Sequence, residues 1–353
     1  MHTESATRRR LVDYLPLDAV AGAFAAHGER VLGLAVYAGA GQEAEGLPPE
    51  TSEPGPLPRA QIDLRALAPS HPQAELWLTD RVRARAHFGP VCCAWGDTLL
   101  FGTVSLPVEK ATTRVPAMQR AAYAVYDAAL LAMREAGFSH LLRAWNYFPA
   151  INRVAGEPGG LERYRQFNIG RADALAAGGG RAEEGAAAAC ALGSQGGDLA
   201  LFFLATKHAP RAIENPRQVS AYRYPSQYGP RSPSFSRAAL VDLDGEPRLL
   251  ISGTASILGH ATVHAGDVGL QTRETIANLE AVVAQANRFV DRAGGAPGFA
   301  LADLALKAYV RRPEDLRIVQ REVAGALGDG VRVVYLQADI CRADLLVEIE
   351  ACS

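Results

Sequence analysis

The sequence predicts an α+β protein built from tandem β-β-α-β-α-β-β units that pack as a pseudo-trimer within one chain. Three observations support this fold class. The order of strand and helix patterns that begins near residue 92 returns from about residue 235, and a repeated order indicates a repeated structure. Matching segments lie at matching places, since TLLFGTVSL corresponds to RLLISGTASI and LLRAWNYF to ADLALKAYV. Turn residues separate the patterns at each boundary.

The first part of the chain, residues 1–85, is predicted to be an incomplete unit. Apolar and β-branched patterns indicate strands at residues 30–37, 60–67 and 75–79. A stretch rich in Pro, Gly and Glu at residues 39–58 separates the first two strands, and we expect it to be a surface loop. These strands fall short of a full unit.

Residues 86–210 are predicted to be the first full unit. Two strands are expected within residues 92–106, about the turn Gly96-Asp97. A helix is expected between Pro116 and Gly137, because Pro often opens a helix and Gly often ends one. Apolar residues recur there at helical spacing. The remaining patterns indicate a strand at 140–148, a helix at 161–177 and strands at 186–192 and 198–205.

Residues 211–353 are predicted to be the second full unit. It begins with two strands, 235–243 and 248–257, about the turn Asp244-Gly245. A helix at 272–293 ending at Gly294-Gly295, a strand at 303–310 and a helix at 313–327 follow. The two closing strands, 331–339 and 344–351, are joined by the polar link Cys341-Arg342-Ala343, and the short link predicts a hairpin.

Each unit is expected to carry both helices on one face of its sheet. The other face must be buried elsewhere, and three such sheets bury these faces together in a barrel-like centre. Clefts between adjacent units then become the natural ligand sites. A chain with its own three units needs no second copy to build a cleft, so we expect a monomer.

Composition excludes several partners. The 353 residues carry a formal net charge of −2 and no run of Lys or Arg, which argues against nucleic acid and against an anionic membrane. Five cysteines without C-x-x-C spacing, no signal-peptide pattern and no apolar run long enough to span a bilayer indicate a cytoplasmic protein. His260 and His264 are the only close pair of histidines, and no metal site is predicted.

The last predicted strand places two carboxylates on one face. Side chains alternate along a strand, so Glu348 and Glu350 lie on the side opposite Val347 and Ile349. Beside apolar neighbours such a carboxyl group is partly desolvated, and its raised pKa suits it to donate a proton near neutral pH. The alternative is that both glutamates lie on a solvated outer face.

The second full unit resembles the YjgF/RidA family, whose α+β subunits form trimers with ligand sites between subunits. The resemblance rests on LISGTASI, QTRETIANL and the ending VEIEA. In that family the first Glu of the closing motif lies in the ligand cleft, and this position falls on Glu348. The arginine that binds substrate on the preceding strand of imine-hydrolysing members has no counterpart, because Arg332 stands in a different register. The resemblance therefore argues against a deaminase.

Over nearly its whole length the chain resembles the bacterial chorismatases, which have this pseudo-trimeric fold within one polypeptide. Five segments in the same order carry the resemblance: RAWNYFPAIN, LERYRQFNIGRADAL, YRYPSQYGPRSPSFSRA, SGTASILGH and QADICRADLLVEIE. The family removes pyruvate from chorismate and gives either a dihydroxycyclohexadiene carboxylate or a hydroxybenzoate. The resemblance implies an enzyme that needs neither a cofactor nor a metal.

Chorismate carries two carboxylates, so its site needs fixed cations, for which arginine is best suited. We expect Arg231, held between prolines, to bind one carboxylate together with Tyr222 and Tyr228. Arg143 and Arg163 are candidates for the other carboxylate. Ordinary exposed side chains are the alternative for each of these residues.

The resemblance also bears on the product. Glu348 is expected to protonate the enolpyruvyl methylene carbon, with Glu350 raising its pKa. A cysteine in the closing segment is typical of family members that form hydroxybenzoate, and Cys341 stands at that place near a small residue, Thr254 or Ala255. We therefore predict 3-hydroxybenzoate, with 4-hydroxybenzoate open as a further product. The alternatives are the dihydroxydiene product, an imine hydrolase of the RidA type, and a binding protein without catalysis.

Overall fold

The computed structural model describes residues 10–39, 47, 51–52, 55–109, 114–155, 160–179, 187–293 and 298–353. The N-terminal elements are β1 (Val12–Pro16), α1 (Val20–His27), β2 (Val31–Tyr37), β3 (Thr51–Ser52), β4 (Gly55–Pro56), β5 (Arg59–Ile62), β6 (Ala66–Ala68) and β7 (Gln73–Leu78). Four of the strands form a sheet in the order β1-β7-β2-β5. The strands predicted at 30–37 and 75–79 are confirmed, whereas the stretch predicted as one strand at 60–67 is two short strands, β5 and β6, which belong to different sheets. β1 and α1 were not predicted. Most of the predicted loop at 39–58 lies outside the described residues.

The middle part forms a seven-stranded sheet. Its elements are β8 (Ala84–Phe88), β9 (Val91–Trp95), β10 (Leu99–Leu106), α2 (Ala117–Glu135), β11 (His140–Pro149), β12 (Val154–Ala155), β13 (Leu161–Glu162), α3 (Arg163–Ala177), β14 (Ala188–Ser194) and β15 (Leu199–Thr206). The predicted elements are confirmed, although residue 186, the predicted start of one strand, lies outside the described residues. α2 begins after Pro116, and Ala122, Val125, Ala129 and Met133 are buried on its inner face.

The C-terminal part forms the second seven-stranded sheet. Its elements are β16 (Arg211–Ile213), β17 (Ala238–Leu243), β18 (Glu246–Ala255), β19 (Ile257–Leu258), β20 (Ala261–Thr262), α4 (Val268–Ala293), β21 (Ala305–Val310), α5 (Leu316–Leu327), β22 (Arg332–Gln337), β23 (Asp339–Ile340) and β24 (Val347–Cys352). Asp244 and Gly245 both have positive φ between β17 and β18, as a tight hairpin turn requires. The predicted helix end at Gly294-Gly295 lies outside the described residues.

The predicted closing hairpin is wrong. β22 and β24 do not pair with each other, because β21 lies between them, parallel to β22 and antiparallel to β24. α5 carries the chain from β21 to a parallel neighbour on the outer side, and β24 then fills the remaining place beside β21. The short polar link is part of a longer connection that contains β23, which pairs with the middle sheet.

The two full units have the same topology, which confirms the predicted repeat. The strand order β14-β11-β15-β10-β9 of the middle sheet corresponds to β22-β21-β24-β18-β17 of the C-terminal sheet. The N-terminal order β5-β2-β7-β1 matches the first four strands of this series. Within the described residues, the N-terminal unit has no counterpart of β9 and none of the second helix. It is therefore an incomplete copy of the same unit.

The three sheets are linked in a ring by equivalent loops. β23, before β24, pairs with β14, and β6, before β7, pairs with β22. The equivalent loop of the middle unit completes the ring, since the backbone N–H of Gln195 donates to the carbonyl of Asp63 over 2.9 Å. The inner faces meet in one core that contains Tyr37, Trp145 and Tyr309 from the three units. None of the described helices combines the length and apolarity that crossing a membrane would demand.

Candidate active site

A cavity of about 310 Å³ opens between the middle unit and the C-terminal unit. The start of α3 contributes Glu162, Tyr164 and Arg165 to its wall. The C-terminal unit contributes β18, β24, the connection before β24 and the long loop between β16 and β17. The cavity therefore lies in a cleft between units, as the packing of three units predicts.

Glu348 forms the inner wall of this cavity. It lies on β24, opposite Tyr309 of β21 and Ala255 of β18, and is only 4% exposed. Burial, and after it the charge of Glu350, raises the pKa of Glu348 to about 8. A solvated position for this carboxyl group is thus excluded. The group can hold a proton at neutral pH and release it into the cavity.

The carboxyl group of Glu348 depends on a glycine beside it. A Cβ atom on Gly253 would overlap Oε1 of Glu348, and would lie 2.8 Å from its Cδ and 2.9 Å from Cβ of Cys190. Gly253 has no positive φ, so the requirement is for space rather than for backbone freedom. The absence of a side chain on β18 is what lets the acid lie where it does.

Arg237 and Arg342 supply positive charge at the cavity. Nη2 of Arg237 donates to the carbonyl of Val219 over 2.9 Å and to the hydroxyl of Tyr224 over 2.7 Å, while its buried Nε has no partner among the described residues. Nη1 of Arg342 donates to the carbonyl of His260 over 2.9 Å. Both arginines line the cavity, so an anion bound there would lie beside two positive charges.

Aromatic side chains from the long loop pack against these cations. The guanidinium of Arg342 lies 4.1 Å from the centre of the Tyr228 ring and 5.3 Å from that of Tyr224. The hydroxyl of Tyr228 lies 3.2 Å from Nδ1 of His260. Short 3-10 turns at Ala221–Arg223 and Ser226–Tyr228 shape this part of the loop. The loop thus positions rings and cations on the same side of the cavity.

Cys341 and Ala255 also line the cavity. Burial raises the pKa of the Cys341 thiol to about 12, with the charge of Glu348 acting in the same direction. The thiol therefore stays protonated throughout the neutral range and offers a weak donor and a small apolar surface rather than a nucleophile. Ala255 keeps the strand opposite Glu348 free of bulk.

The other predicted site residues lie elsewhere. Arg231 does not line the cavity; its side chain is 63% exposed and lies 3.8 Å from Asp173. Tyr222 does not line it either and has the guanidinium of Arg223 5.8 Å from its ring. Arg163, the first residue of α3, is half-buried outside the lining. These positions separate the three residues from the cluster around Glu348.

Arg143 also lies outside the cavity lining. It is fully buried on β11, and its Nη2 donates to Oε2 of Glu350 over 2.5 Å. Its Nη2 is thus committed to a buried ion pair, whereas its buried Nη1 has no hydrogen-bond partner among the described residues. Its contact is with the neighbour of the acid rather than with the cavity.

Sequence reasoning missed Arg237, Arg342 and Tyr224. All three lie in segments that carry the family resemblance, but several arginines in those segments were equally plausible candidates. A signal that separates Arg237 from Arg231 is the strand that follows, because Arg237 lies one residue before β17 and is drawn inward with it. Arg342 lies in the short polar link that the sequence predicts to be a hairpin turn.

Only one of the three equivalent clefts carries the acid. Glu348 pairs with Tyr309, and the same register pairs Gln73 with Tyr37 and Ala200 with Tyr147. The three positions are therefore equivalent, and an amide and a methyl group replace the carboxyl group in two of them. The chemistry that depends on Glu348 is confined to the cleft between the middle and C-terminal units.

The two neighbouring histidines have separate partners. His260 lies beside Tyr228, and Nε2 of His264 lies 3.8 Å from Oε2 of Glu274. Among the residues that the structure describes, no three His, Cys, Asp or Glu side chains are grouped in a way that could hold a metal ion.

Comparisons with known proteins identify similar sequences and structures. Residues 75–205 match the family described as chorismatase FkbO/Hyg5-like, N-terminal. A 3-hydroxybenzoate synthase of Streptomyces hygroscopicus is 38% identical over 82% of this chain and 84% of its own length. A chorismatase of Streptomyces rapamycinicus is 39% identical over 78% of this chain and 81% of its own. A chorismatase crystal structure covers 92% of this chain and 93% of its own, with 36% identity and a TM-score of 0.78.

Proposed function

The chain belongs to the chorismatase family, and we propose that it removes pyruvate from chorismate, without a cofactor, to give 3-hydroxybenzoate. The observation that carries this proposal is Glu348, a buried carboxyl group with a pKa near 8 at the wall of a cavity that arginines also line. A dianionic substrate with an acid-labile enol ether matches such a site. The proposed product follows the relative named 3-hydroxybenzoate synthase and the cysteine at position 341.

Glu348 acts as the general acid in this proposal. Its proton goes to the terminal methylene carbon of the enolpyruvyl group, which becomes a methyl group, and the ether carbon becomes an oxocarbenium ion. The carboxylate left on Glu348 then stabilises the adjacent positive charge. Burial suits the group to both steps, because it keeps the acid protonated beforehand and strengthens its interaction with the cation afterwards.

Two routes lead on from the oxocarbenium ion. If water adds to the ether carbon, the resulting hemiketal collapses to pyruvate and the ring keeps both oxygens as the dihydroxydiene. If the neighbouring ring hydroxyl attacks the ring carbon that bears the ether oxygen, the C–O bond at that carbon breaks and pyruvate leaves, while the hydroxyl proton returns to the Glu348 carboxylate and an epoxide-like ring intermediate remains. Opening of the epoxide, with transfer of one ring proton to its oxygen, then makes the ring aromatic as hydroxybenzoate. We propose the second route, with Cys341 and Ala255 shaping the pocket around the ring. The protonated thiol of Cys341 supports a role in shape rather than in nucleophilic attack.

Arg237 and Arg342 are proposed to hold the substrate carboxylates. Both line the cavity, and Arg237 has a buried donor without a partner among the described residues. Arg231, Tyr222, Arg143 and Arg163 stay sequence-based predictions as substrate contacts. Tyr228 and Ala255 are the predicted contacts that also line the cavity. This assignment can be tested by comparing a substitution of Arg237 with the same substitution of Arg231.

Arg237→Gln is expected to raise KM for chorismate by about 10- to 100-fold, because a hydrogen bond to a charged partner contributes about 1.5–3 kcal/mol. kcat should change less, since the contact exists in the ground state as well. Arg231→Gln, on the exposed part of the same loop, is the matched comparison and should change KM less than threefold. A larger increase in KM for Arg231→Gln than for Arg237→Gln would assign the substrate carboxylate to Arg231.

The test of the function is to incubate the purified chain with chorismate and follow pyruvate by a coupled assay. Chromatography against 3-hydroxybenzoate, 4-hydroxybenzoate and the dihydroxydiene then identifies the second product. We expect pyruvate and 3-hydroxybenzoate in equal amounts. Pyruvate release no faster than the spontaneous reaction would overturn the proposal, and ammonia release from 2-aminoacrylate would favour an imine hydrolase instead.

Activity is expected to fall as pH rises through about 8. The pKa of Glu348 is raised to about 8, so the group is protonated below that pH and ionised above it. A general acid works only in its protonated form. kcat measured between pH 6 and pH 10 should decline about tenfold per unit on the alkaline side. A rate that increased through this range would indicate that the ionised carboxylate is the active form.

We further propose that the chain acts as a monomer in the cytoplasm. Its three units build the cleft without a second copy, and all five cysteines are free thiols, as expected in a reducing compartment. The small molecule chorismate is then its only required partner.

A further inference from the structure

A row of buried charges lies behind the active site and outside the cavity lining. It consists of Arg143 on β11, Glu350 on β24, Lys307 on β21 and Glu75 on β7. Lys307 is fully buried, and the other three are at least 95% buried. Burying four charges is unfavourable unless each is paired.

Each charge in the row contacts the next. Nζ of Lys307 lies 2.8 Å from Oε1 of Glu350 and 2.7 Å from Oε2 of Glu75. Oε1 of Glu350 also accepts from the indole N–H of Trp145 over 2.8 Å, and Oε2 is held by Arg143. Lys307 thus has one carboxylate on either side, and Glu350 has a cation on either side.

Glu75 is the member that comes from the incomplete N-terminal unit. Its Oε2 accepts hydrogen bonds from Lys307 and, over 2.5 Å, from the hydroxyl of Tyr37. Burial raises the pKa of Glu75, and these two donors act in the opposite direction. Two donors converging on one oxygen describe an acceptor, so we take Glu75 as ionised. The N-terminal unit thereby contributes one negative charge to a row that ends at the catalytic strand.

Glu350 joins this row to the acid. It lies two residues after Glu348 on the same face of β24, and its charge is the second cause, after burial, of the raised pKa of Glu348. Lys307 and Arg143 hold the pKa of Glu350 below its ordinary value, so that its charge is present throughout the neutral range. Lys307 without Glu75 would leave an excess of positive charge beside Glu350.

We propose that Glu75 is a positioning residue for the reaction: by neutralising Lys307 it keeps the surroundings of Glu350 balanced and so keeps the acid Glu348 in its proton-bearing form. This inference rests on the proposed function. It assigns the incomplete unit a role in a site whose lining comes entirely from the other two units.

The titratable and charged groups around the two ends of the row are known. The groups that shift the pKa of Glu348, or whose own pKa is shifted by its charge, are Glu350, Arg143, Arg237, Arg311, Cys341, Cys190 and Tyr164. Those around Glu75 are Lys307, Glu350, Tyr37, Tyr14, Tyr147 and Cys352. The buried tyrosines and cysteines have pKa values raised by burial and stay neutral below pH 9, so Glu348 is the group expected to titrate there.

Glu75→Gln removes one negative charge and keeps the shape of the side chain. We expect the alkaline limb of the kcat profile to move to lower pH by about 0.5–1 unit, because the uncompensated charge of Lys307 favours ionised Glu348. At pH 9 this corresponds to about three- to tenfold lower activity than wild type, while activity at pH 6 should be unchanged. Asp13→Asn, on the neighbouring strand β1 in a partly exposed ion pair with Arg10, is the control and should not move the limb.

A double variant is expected to reverse the direction in which the alkaline limb of the kcat profile moves. Glu75→Gln/Lys307→Met removes both members of the pair, so no unpaired charge is left to destabilise the fold. Glu350 then has one cation, Arg143, in place of two, so its negative charge is less compensated and the alkaline limb should move back to the wild-type pH or above it. A merely structural role for Glu75 does not produce shifts of opposite sign. An unmoved limb in both variants, or a shift in the same direction in both, would overturn the proposal.

The same shifts can be followed without turnover. The infrared C=O band of the protonated Glu348 carboxyl group, identified as the band lost in Glu348→Gln, can be titrated in the resting protein. If the wild-type chain released no pyruvate, the proposed function would fail, while this titration would still decide the role of Glu75. If pyruvate were released and the band titrated identically in wild type and both variants, only the role of Glu75 would fail.

Discussion

Glu348→Gln should reduce pyruvate release from chorismate by about a hundred- to ten-thousandfold, since this is the range that general acid catalysis contributes. The amide keeps the shape of the side chain but has no proton to give to carbon. The measurement is kcat at pH 7, and KM should change little because the carboxylate-binding arginines are intact. Glu280→Gln, an exposed position on α4, is the control and should retain full activity.

The same variant is expected to be more stable than wild type above pH 5. A carboxyl group whose pKa rises from 4.5 to about 8 on folding favours the folded state fully below pH 4.5, and this contribution is lost as pH rises toward 8. At pH 7.5 the difference amounts to about 4 kcal/mol. Glutamine is neutral in both the folded and the unfolded state, so the variant does not lose this stability as pH rises. Denaturant unfolding of both proteins at pH 5 and pH 7.5 checks this result, and equal stability at both values would place Glu348 in contact with water.

Loss of activity together with a gain of stability would separate a catalytic role from a structural one. Substitution of a side chain that only holds the fold together would lower both activity and stability. Substitution of a functional group that is kept in an unfavourable environment lowers activity and raises the free energy of unfolding. An active Glu348→Gln variant would reassign the acid. It would also remove the proposed mechanism, because the other glutamate on this strand face is committed to Lys307 and Arg143.

Local patterns predicted the repeated unit and the shared strand face of Glu348 and Glu350, and the family resemblance added the expectation that Glu348 lies in the ligand cleft. Alternation of side chains along the last strand placed Glu348 and Glu350 on one face. Pro116, Gly137 and Gly245 marked helix and turn boundaries that the structure confirms. These features depend on residues within a few positions of one another. They are visible in the sequence because strand and helix periods are local properties.

Features that depend on long-range pairing could not be predicted in the same way. The closing hairpin was wrong because β24 enters between β18 and β21, a place that only the whole sheet defines. The contact between Glu75 and Lys307 joins positions 232 residues apart. Arg231 and Arg237 look alike in sequence, and only the path of the loop shows that Arg237 turns inward. Charge and residue type indicate which kinds of side chain a site needs. The topology decides which of several similar residues lies at the site.

Gly253→Ala should lower kcat by about a hundredfold or more while the protein still folds. The new Cβ would occupy the space of Oε1 of Glu348 and come within 2.9 Å of Cβ of Cys190. β18 and β24 pair on either side of Gly253, at Ile251 and at Thr254, so we expect the flexible carboxyl group to move rather than the strands. Displacement of a general acid by about 1 Å is enough to cost about a hundredfold in rate. Overpacking should also lower the free energy of unfolding by about 1–3 kcal/mol.

A shorter acid tests whether this loss arises from overlap. Glu348→Asp withdraws the carboxyl group from Gly253, so the double variant Gly253→Ala/Glu348→Asp should lose less activity than the product of the two single losses. Gly325→Ala, on the open face of α5 with no atom near its Cβ position, is the control and should leave kcat unchanged. If Gly253→Ala kept kcat within twofold of wild type, the carboxyl group of Glu348 would have room to act from another position. A coupling of zero in the double variant would show that Gly253 acts on the reaction through something other than the space it leaves for the acid.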